Sequence, residues 1–156
     1  MTEILIRLAT ADDAASLAAL LRSIGWFGRI SEEPPEKTVE KVTAALAQAL
    51  AGDSHAIWVA EGADGRVLAY AAVHWLPYLF LPGPEGYLSE LFVSEEARGQ
   101  GIGSRLLEAV KAEAKRRGCS RLQLVNFRQR ESYQRGFYAK AGWEERPDGA
   151  SFVLYL

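Results

Sequence analysis

Three glycines at alternate positions follow an arginine in Arg98-Gly99-Gln100-Gly101-Ile102-Gly103-Ser104. Without Cβ atoms, Gly99, Gly101 and Gly103 let backbone N–H groups come close to a ligand. A helix opening on such a turn adds unpaired N–H donors and the positive end of its dipole, so the segment is suited to an anion. Arg98 contributes a planar charge that matches phosphate oxygens. Upstream, Glu90 interrupts a strand otherwise built from Leu88, Leu91, Phe92 and Val93. A carboxylate there is costly to bury without a purpose, whether that is taking a proton, holding a cation or pairing with an arginine. His74, at the end of an apolar run beside Val73 and Trp75, is the rival proton acceptor, with an ordinary pKa of about 6.5. His55 reads as a strand-start residue. Tyr138 is either a core aromatic of the last helix or a phenol available for proton donation.

The elements that must position these groups follow from periodicity. Residues 3–8 form a short strand. Thr10 and Asp13 make a capping-box start for a helix with the stripe Leu17, Leu20, Leu21 and Ile24, stopped at Gly25. Pro34 and Pro35 open a second helix whose stripe is Val39, Val42, Leu46 and Ala49 or Leu50. Residues 55–61 and 66–75 are rich in β-branched and aromatic types and form a hairpin across Gly62-Ala63-Asp64-Gly65. The second of these strands is apolar on both faces, so both are covered. A loop rich in proline and glycine, with exposed Tyr78 and Phe80, leads to a strand over 87–93. Ile102, Leu106, Leu107, Val110 and Ala114 mark one face of the helix after the glycine turn. A strand over 121–125, a helix over 132–141 and a last strand over 151–156 complete the chain. This order predicts one domain, residues 1–156, of mixed α/β type with helices covering a sheet.

Composition narrows the function further. The 156 residues are 49% hydrophobic and 24% charged, with a net charge of -2, ordinary for a globular domain. The charge balance argues against a nucleic-acid partner, which needs clustered lysine and arginine. No apolar run approaches the ~20 residues of a membrane helix and no leader pattern is visible at the N-terminus, so no membrane and a cytoplasmic location are expected. Cys119 is the one cysteine, which excludes an internal disulfide and reads as a filler. Neither a disulfide framework nor a metal cluster is expected.

Two nucleotide-binding readings of the glycine turn fail. No Lys-Ser/Thr pair follows it, as a P-loop requires, and Ser104 stands where the third glycine of a dinucleotide turn belongs. A third reading fits. Glu90-Leu91-Phe92-Val93 followed by Arg98-Gly99-Gln100-Gly101-Ile102-Gly103 resembles the R/Q-x-x-G-x-G/A motif of the GNAT acetyltransferase superfamily, and Phe137-Tyr138-Ala139-Lys140-Ala141-Gly142-Trp143 resembles its F/L-Y-x-x-x-G-F element. The element order agrees over nearly the whole chain.

The resemblance implies a mostly antiparallel sheet of about six to seven strands, splayed near the fourth and flanked by about four helices. It implies acetyl-CoA as cosubstrate, with the backbone of Leu91, Phe92 and Val93 pairing with the pantetheine amides. Arg98, Gly99, Gln100, Gly101, Ile102, Gly103 and Ser104 would cradle the pyrophosphate, Glu90 (or His74) would be the base, and Tyr138 the acid. Trp26, Phe27, Trp75 and Tyr78 fall where the family frames its acceptor, and with His74 they are the candidate substrate-binding residues. Family members often carry an asparagine upstream of the tyrosine. This chain has Glu131 there and a longer 125–138 stretch, which leaves coenzyme contacts over Asn126–Glu131 unassigned. Members often dimerise, so a homodimer is one arrangement open to it.

The implied reaction makes one main demand. An alkyl amine of pKa about 10.4 is protonated at pH 7, and presenting it neutral costs about 4.6 kcal/mol. A positioned base supplies this. The expected reaction is therefore acetyl transfer to a primary amine, most naturally of a small molecule. Acetylation of a protein N-terminus or lysine is the enzymatic alternative, and an inert acyl-CoA sensor the non-enzymatic one.

Overall fold

The computed structural model describes residues 3–156. The chain divides into two compact units, Met1–Gln123 and Leu124–Leu156. The first holds β1 (Leu5–Leu8), α1 (Ala14–Ile24), α2 (Gly28–Glu32), α3 (Pro35–Leu50), β2 (His55–Glu61), β3 (Val67–Leu76), β4 (Glu85–Val93) and α4 (Ile102–Arg116), with β5 (Arg121–Leu124) ending at the junction. The strands lie in the order β1-β2-β3-β4-β5, and the pairs β1–β2, β2–β3 and β3–β4 are antiparallel.

Strand alternation assigns the two faces of this sheet. On one, Ala69, Ala71, Val73 and Trp75 of β3 meet α4, whose buried residues Ile102, Leu106, Leu107, Val110 and Ala114 are the predicted face residue for residue. On the other, Val59, Tyr70 and Ala72 join Leu17 and Leu20 of α1 and Leu46 of α3 in a second core, with Ile57 and Phe92 packed at its margin. Both faces of β3 are thus covered, as its unbroken apolar sequence requires.

Local chemistry explains the entry to α1. The Thr10 amide donates to Asp13 Oδ2 at 2.7 Å, and Arg7 holds the same carboxylate with both terminal nitrogens at 2.8 Å. Its guanidinium keeps the Asp13 carboxyl below the usual range. In α3 the stripe includes Thr38, which is buried, and excludes Leu50, which is exposed. Thr38 tolerates burial because its hydroxyl donates to Glu33 Oε1 at 2.9 Å and accepts from Arg22 Nη1 at 3.1 Å.

The second unit departs from expectation. The helix predicted over 132–141 is two single turns, α5 (Glu131–Gln134) and α6 (Phe137–Lys140). Gly136 between them takes φ 68°, a left-handed conformation that ends the first turn. The strand predicted over 151–156 has no ladder partner among the described residues and is not a strand. The sheet accordingly has five strands where six to seven were expected. An apolar sequence marks where a strand can form, but its backbone N–H and C=O groups need a neighbour to pair with.

Candidate active site

Glu90 lies opposite Ala72, and Phe92 opposite Tyr70, on the face of the sheet that carries α1 and α3. The Tyr70 hydroxyl donates to Glu90 Oε1 at 3.1 Å. Tyr70 is buried, and burial together with the adjacent Glu90 charge keeps its phenol protonated well above the ordinary range. Glu90 itself is open to solvent along the strand but crowded by protein. This desolvation lifts its carboxyl above the ordinary value, with the Tyr70 hydrogen bond opposing. A carboxylate that is accessible and yet short of water is a stronger base than one on a free surface.

An aromatic wall stands on one side of it. The Phe92 ring meets Trp26 at 5.8 Å, Phe27 at 5.4 Å and Tyr70 at 5.8 Å between centroids, the first two edge to face. Next to Trp26 and Phe27, Arg22 ties down α2 and its end. Its Nη1 donates to the carbonyls of Ile30 at 2.6 Å and Glu33 at 2.9 Å. Trp26 remains half exposed at its rim, 49%.

On the other side stands a pair of imidazoles. His55 of β2 faces His74 of β3 in register, with ring centroids 4.6 Å apart. His74 Nε2 lies 2.8 Å from Ser89 Oγ, and His55 Nδ1 lies 2.8 Å from Ser54 Oγ. Ser89 comes to this face because the β3–β4 register slips by one residue between Ala72 and Val73, making Ser89 the bulged residue. Burial, then the neighbouring His55, lowers the His74 pKa, so its ring is neutral at pH 7.

Two candidates are not brought here. Trp75 is one residue out of phase with His74 and points to the α4 face, 7% exposed, beneath the Arg117 guanidinium at 4.9 Å. Tyr78 lies past the end of β3 in the loop, its ring 5.5 Å from Phe80. Conversely, Tyr70 and Ser89 carry no sign of a site role in their residue types, and His55, read as a strand-start residue, joins His74 here. Strand parity with His74 was the available signal for Tyr70, whereas the pairing that brings His55 across and the bulge that turns Ser89 leave no mark in the sequence.

The glycine turn leads into α4 as expected. Gly99 and Gly101 hold φ 74° and 75°, with open space where a side chain would project. They are therefore required by backbone conformation and not by crowding. Arg98 is exposed, and no described residue accepts from its guanidinium. The adjacent edge of β4 is also open. The Ser120 amide donates to the Pro84 carbonyl at 2.8 Å, so β5 starts where β4 starts. β5 has 4 residues against 9 in β4, which leaves the end of β4 toward Val93 without a strand neighbour on that side among the described residues.

In the second unit, the Tyr138 ring packs on Phe137 at 4.9 Å and Trp143 at 6.0 Å. Burial pushes its phenol up to about 12, partly offset by Arg135. Arg135 lies over Phe137 at 5.0 Å. Arg128 pairs with Glu145 at 2.6 Å, and Tyr133 donates to the same carboxylate at 2.8 Å. Ser132 donates to Asn126 Oδ1 at 3.2 Å within the segment that departs from the motif. Cys119, in the first unit, is half-buried. Burial raises its thiol, the opposite of what a nucleophile needs. No group of three or more His, Cys, Asp or Glu among the described residues is placed to hold a metal ion.

The acetyltransferase (GNAT) family pattern matches residues 22–143, through the turn, Glu90 and Tyr138. The chain belongs to the acetyltransferase (GNAT) family. Membership makes it an acetyl-CoA-dependent N-acyltransferase. Among relatives, it is 35% identical over 101 residues to aminoglycoside N(6')-acetyltransferase type 1 of Serratia marcescens, covering 62% of this chain and 68% of that one. It is 30% identical over 132 residues to thialysine N-epsilon-acetyltransferase of Bos taurus, covering 80% and 75%. The GNAT fold is shared with a solved transcriptional regulator from Bacillus halodurans C-125, TM-score 0.83 and 27% identity, covering 97% of this chain and all of that one. It is also shared with an aminoglycoside N-acetyltransferase solved in complex with CoA, TM-score 0.76 and 17% identity, covering 100% and 97%. No helix among the described residues is long and apolar enough to cross a membrane.

Proposed function

We infer that the protein moves the acetyl group of acetyl-CoA to a primary amine of a small molecule, with Glu90 as base and Tyr138 as hydrogen-bond donor to the leaving sulfur. The observation that carries this is the desolvated Glu90 carboxylate, held by Tyr70 between an aromatic wall and a pair of imidazoles. The family match spans the junction of the two units, which supports treating residues 1–156 as one functional domain.

The glycine turn, with Gly99 and Gly101 in left-handed conformations and Arg98 beside the start of α4, suits the pyrophosphate. The open end of β4 suits strand-like pairing of the pantetheine amides with Leu91, Phe92 and Val93. In the reaction the ammonium gives one proton to Glu90, and the free amine attacks the thioester carbonyl. The C–N bond forms as the carbonyl oxygen takes up charge, which a β4 backbone N–H stabilises. The C–S bond then breaks, the sulfur leaves with its electron pair, and the second proton of the nitrogen passes to that sulfur, giving the free thiol, while Glu90 returns the first proton to solvent. Transfer from a phenol near 12 to a thiolate of pKa about 8.5 runs uphill by roughly 5 kcal/mol. Tyr138 therefore acts by hydrogen bonding and stays protonated.

The test is thiol release from acetyl-CoA against a panel of amino sugars, polyamines, amino acids and N-terminal peptides. Release dependent on a small amine supports the reading, and release with peptides alone replaces it by protein acetylation. Tight acetyl-CoA binding with no release for any acceptor would point to the sensor alternative.

A further inference from the structure

Beyond Glu90, the same sheet face continues into a surface that the acetyl transfer itself does not use. Along β3 it runs Tyr70, Ala72, His74; along β4, Phe92, Glu90, Tyr87; along β2, Val59, Ile57, His55. Ala72, buried in the core with α1 and α3, lies between the acid and the imidazoles in the strand register. Tyr87 sits across from His74 with the rings 6.3 Å apart. His55 and His74 are half-buried, while Ser54 and Ser89 are exposed.

The hydrogen bonding of this cluster is only partly used. His74 Nε2 is taken by Ser89 and His55 Nδ1 by Ser54. His74 Nδ1, His55 Nε2 and the Tyr87 hydroxyl have no partner among the described residues. With His74 neutral, its ring, the Tyr87 phenol and the serine hydroxyls offer donors and acceptors without charge. β2, β3 and β4 contain no lysine or arginine. On the flanking strands, Arg7 of β1 is engaged by Asp13 and Glu61 and Arg121 of β5 by the buried Glu85 carboxylate. An anionic group on the acceptor would therefore find no cation on these strands, whereas hydroxyl groups would find imidazole, phenol and serine partners together with ring faces to lie against.

We propose that His74, His55, Ser89 and Tyr87 form the acceptor's specificity subsite, taking an uncharged, hydroxylated ring that carries the amine, of the amino-sugar type. Its spacing follows from the strand. His74 is two residues beyond Ala72, the partner of Glu90, so the two protein positions stand about 7 Å apart along the sheet, a gap that one six-membered ring bridges with a hydrogen bond at its amine and another at a hydroxyl. The subsite rests on the reading of Glu90 as the group that receives the amine.

Two measurements test it, and one does not depend on turnover. The chain has 2 histidines, so imidazole C–H resonances are assignable with His74→Phe and His55→Phe. Glucosamine titrated into the CoA-loaded protein should move both resonances, and cyclohexylamine, the same ring without hydroxyls, should move them far less. In thiol-release kinetics, kcat/KM for glucosamine should exceed that for cyclohexylamine by about tenfold, the scale of one hydrogen bond. His74→Phe should bring that ratio close to one, mainly through KM. Imidazole resonances that stay still with glucosamine, or a ratio untouched by His74→Phe, would overturn the subsite. Should Glu90→Gln abolish turnover while glucosamine still moves the resonances, the subsite stands. If Glu90→Gln leaves turnover intact, it is the base assignment that fails.

Discussion

A carboxylate short of water has opposite consequences for chemistry and for stability. Burial penalises only the ionised form of Glu90, so its folded pKa lies above its unfolded one. The stability such a group contributes is complete below the unfolded value and is lost as pH rises through the folded value. Glu90→Gln never ionises and can still accept from Tyr70. It should therefore raise Tm relative to wild type at pH 7, the gap closing below about pH 4, as thermal melts across pH would show. The same substitution should lower kcat/KM by about 100-fold or more, the scale of a lost general base. The acid limb of the wild-type kcat/KM profile should fall above an ordinary glutamate value. Tyr138→Phe should lower kcat about tenfold with little change in the KM for acetyl-CoA, the loss of one hydrogen bond. A thioester with a more acidic thiol should narrow that deficit if the phenol serves the leaving group, and a purely structural tyrosine would leave the deficit unchanged.

At the scale of elements, the start of α4 joins a fold requirement to a binding one. Gly101 caps the helix at φ 75°, where a Cβ costs roughly 1–2 kcal/mol. Gly101→Ala should therefore lower Tm by several degrees, and, by tilting the N–H groups that the turn presents, weaken acetyl-CoA binding about tenfold. Calorimetric titration and a thermal melt measure the two effects separately. A Tm loss with unchanged acetyl-CoA affinity would remove the turn from the coenzyme site. Much at this scale was legible in the sequence. The buried face of α4 follows from the spacing of Ile102, Leu106, Leu107, Val110 and Ala114, and the Thr10–Asp13 start of α1 from its residue types. The break at Gly136 was harder to read. A glycine within a helical pattern is usually tolerated at modest cost, and only the left-handed φ turns it into a stop.

On the scale of the whole molecule, the two units differ in how well they satisfy their apolar sequence. The first encloses both faces of its sheet. In the second, Phe152, Val153, Leu154, Tyr155 and Leu156 are largely exposed, Phe152 by 93%. A run of apolar residues with strand propensity and no ladder partner favours association. Phe152→Ser with Leu154→Ser should reduce concentration-dependent light scattering. If scattering is unaltered, this run is not what drives association.

The family, the glycine turn, the carboxylate at Glu90 and the order of most elements can be read from residue types alone. Each of these depends on residue types at short spacing, where sterics and periodicity act locally. The tertiary structure decided which side chains share a face with Glu90. A single-residue register shift between Ala72 and Val73 turned Ser89 toward His74, and strand parity sent Trp75 under Arg117 instead of into the site. Register is set by pairing between strands far apart in the chain, and one step of it exchanges the faces of every side chain beyond.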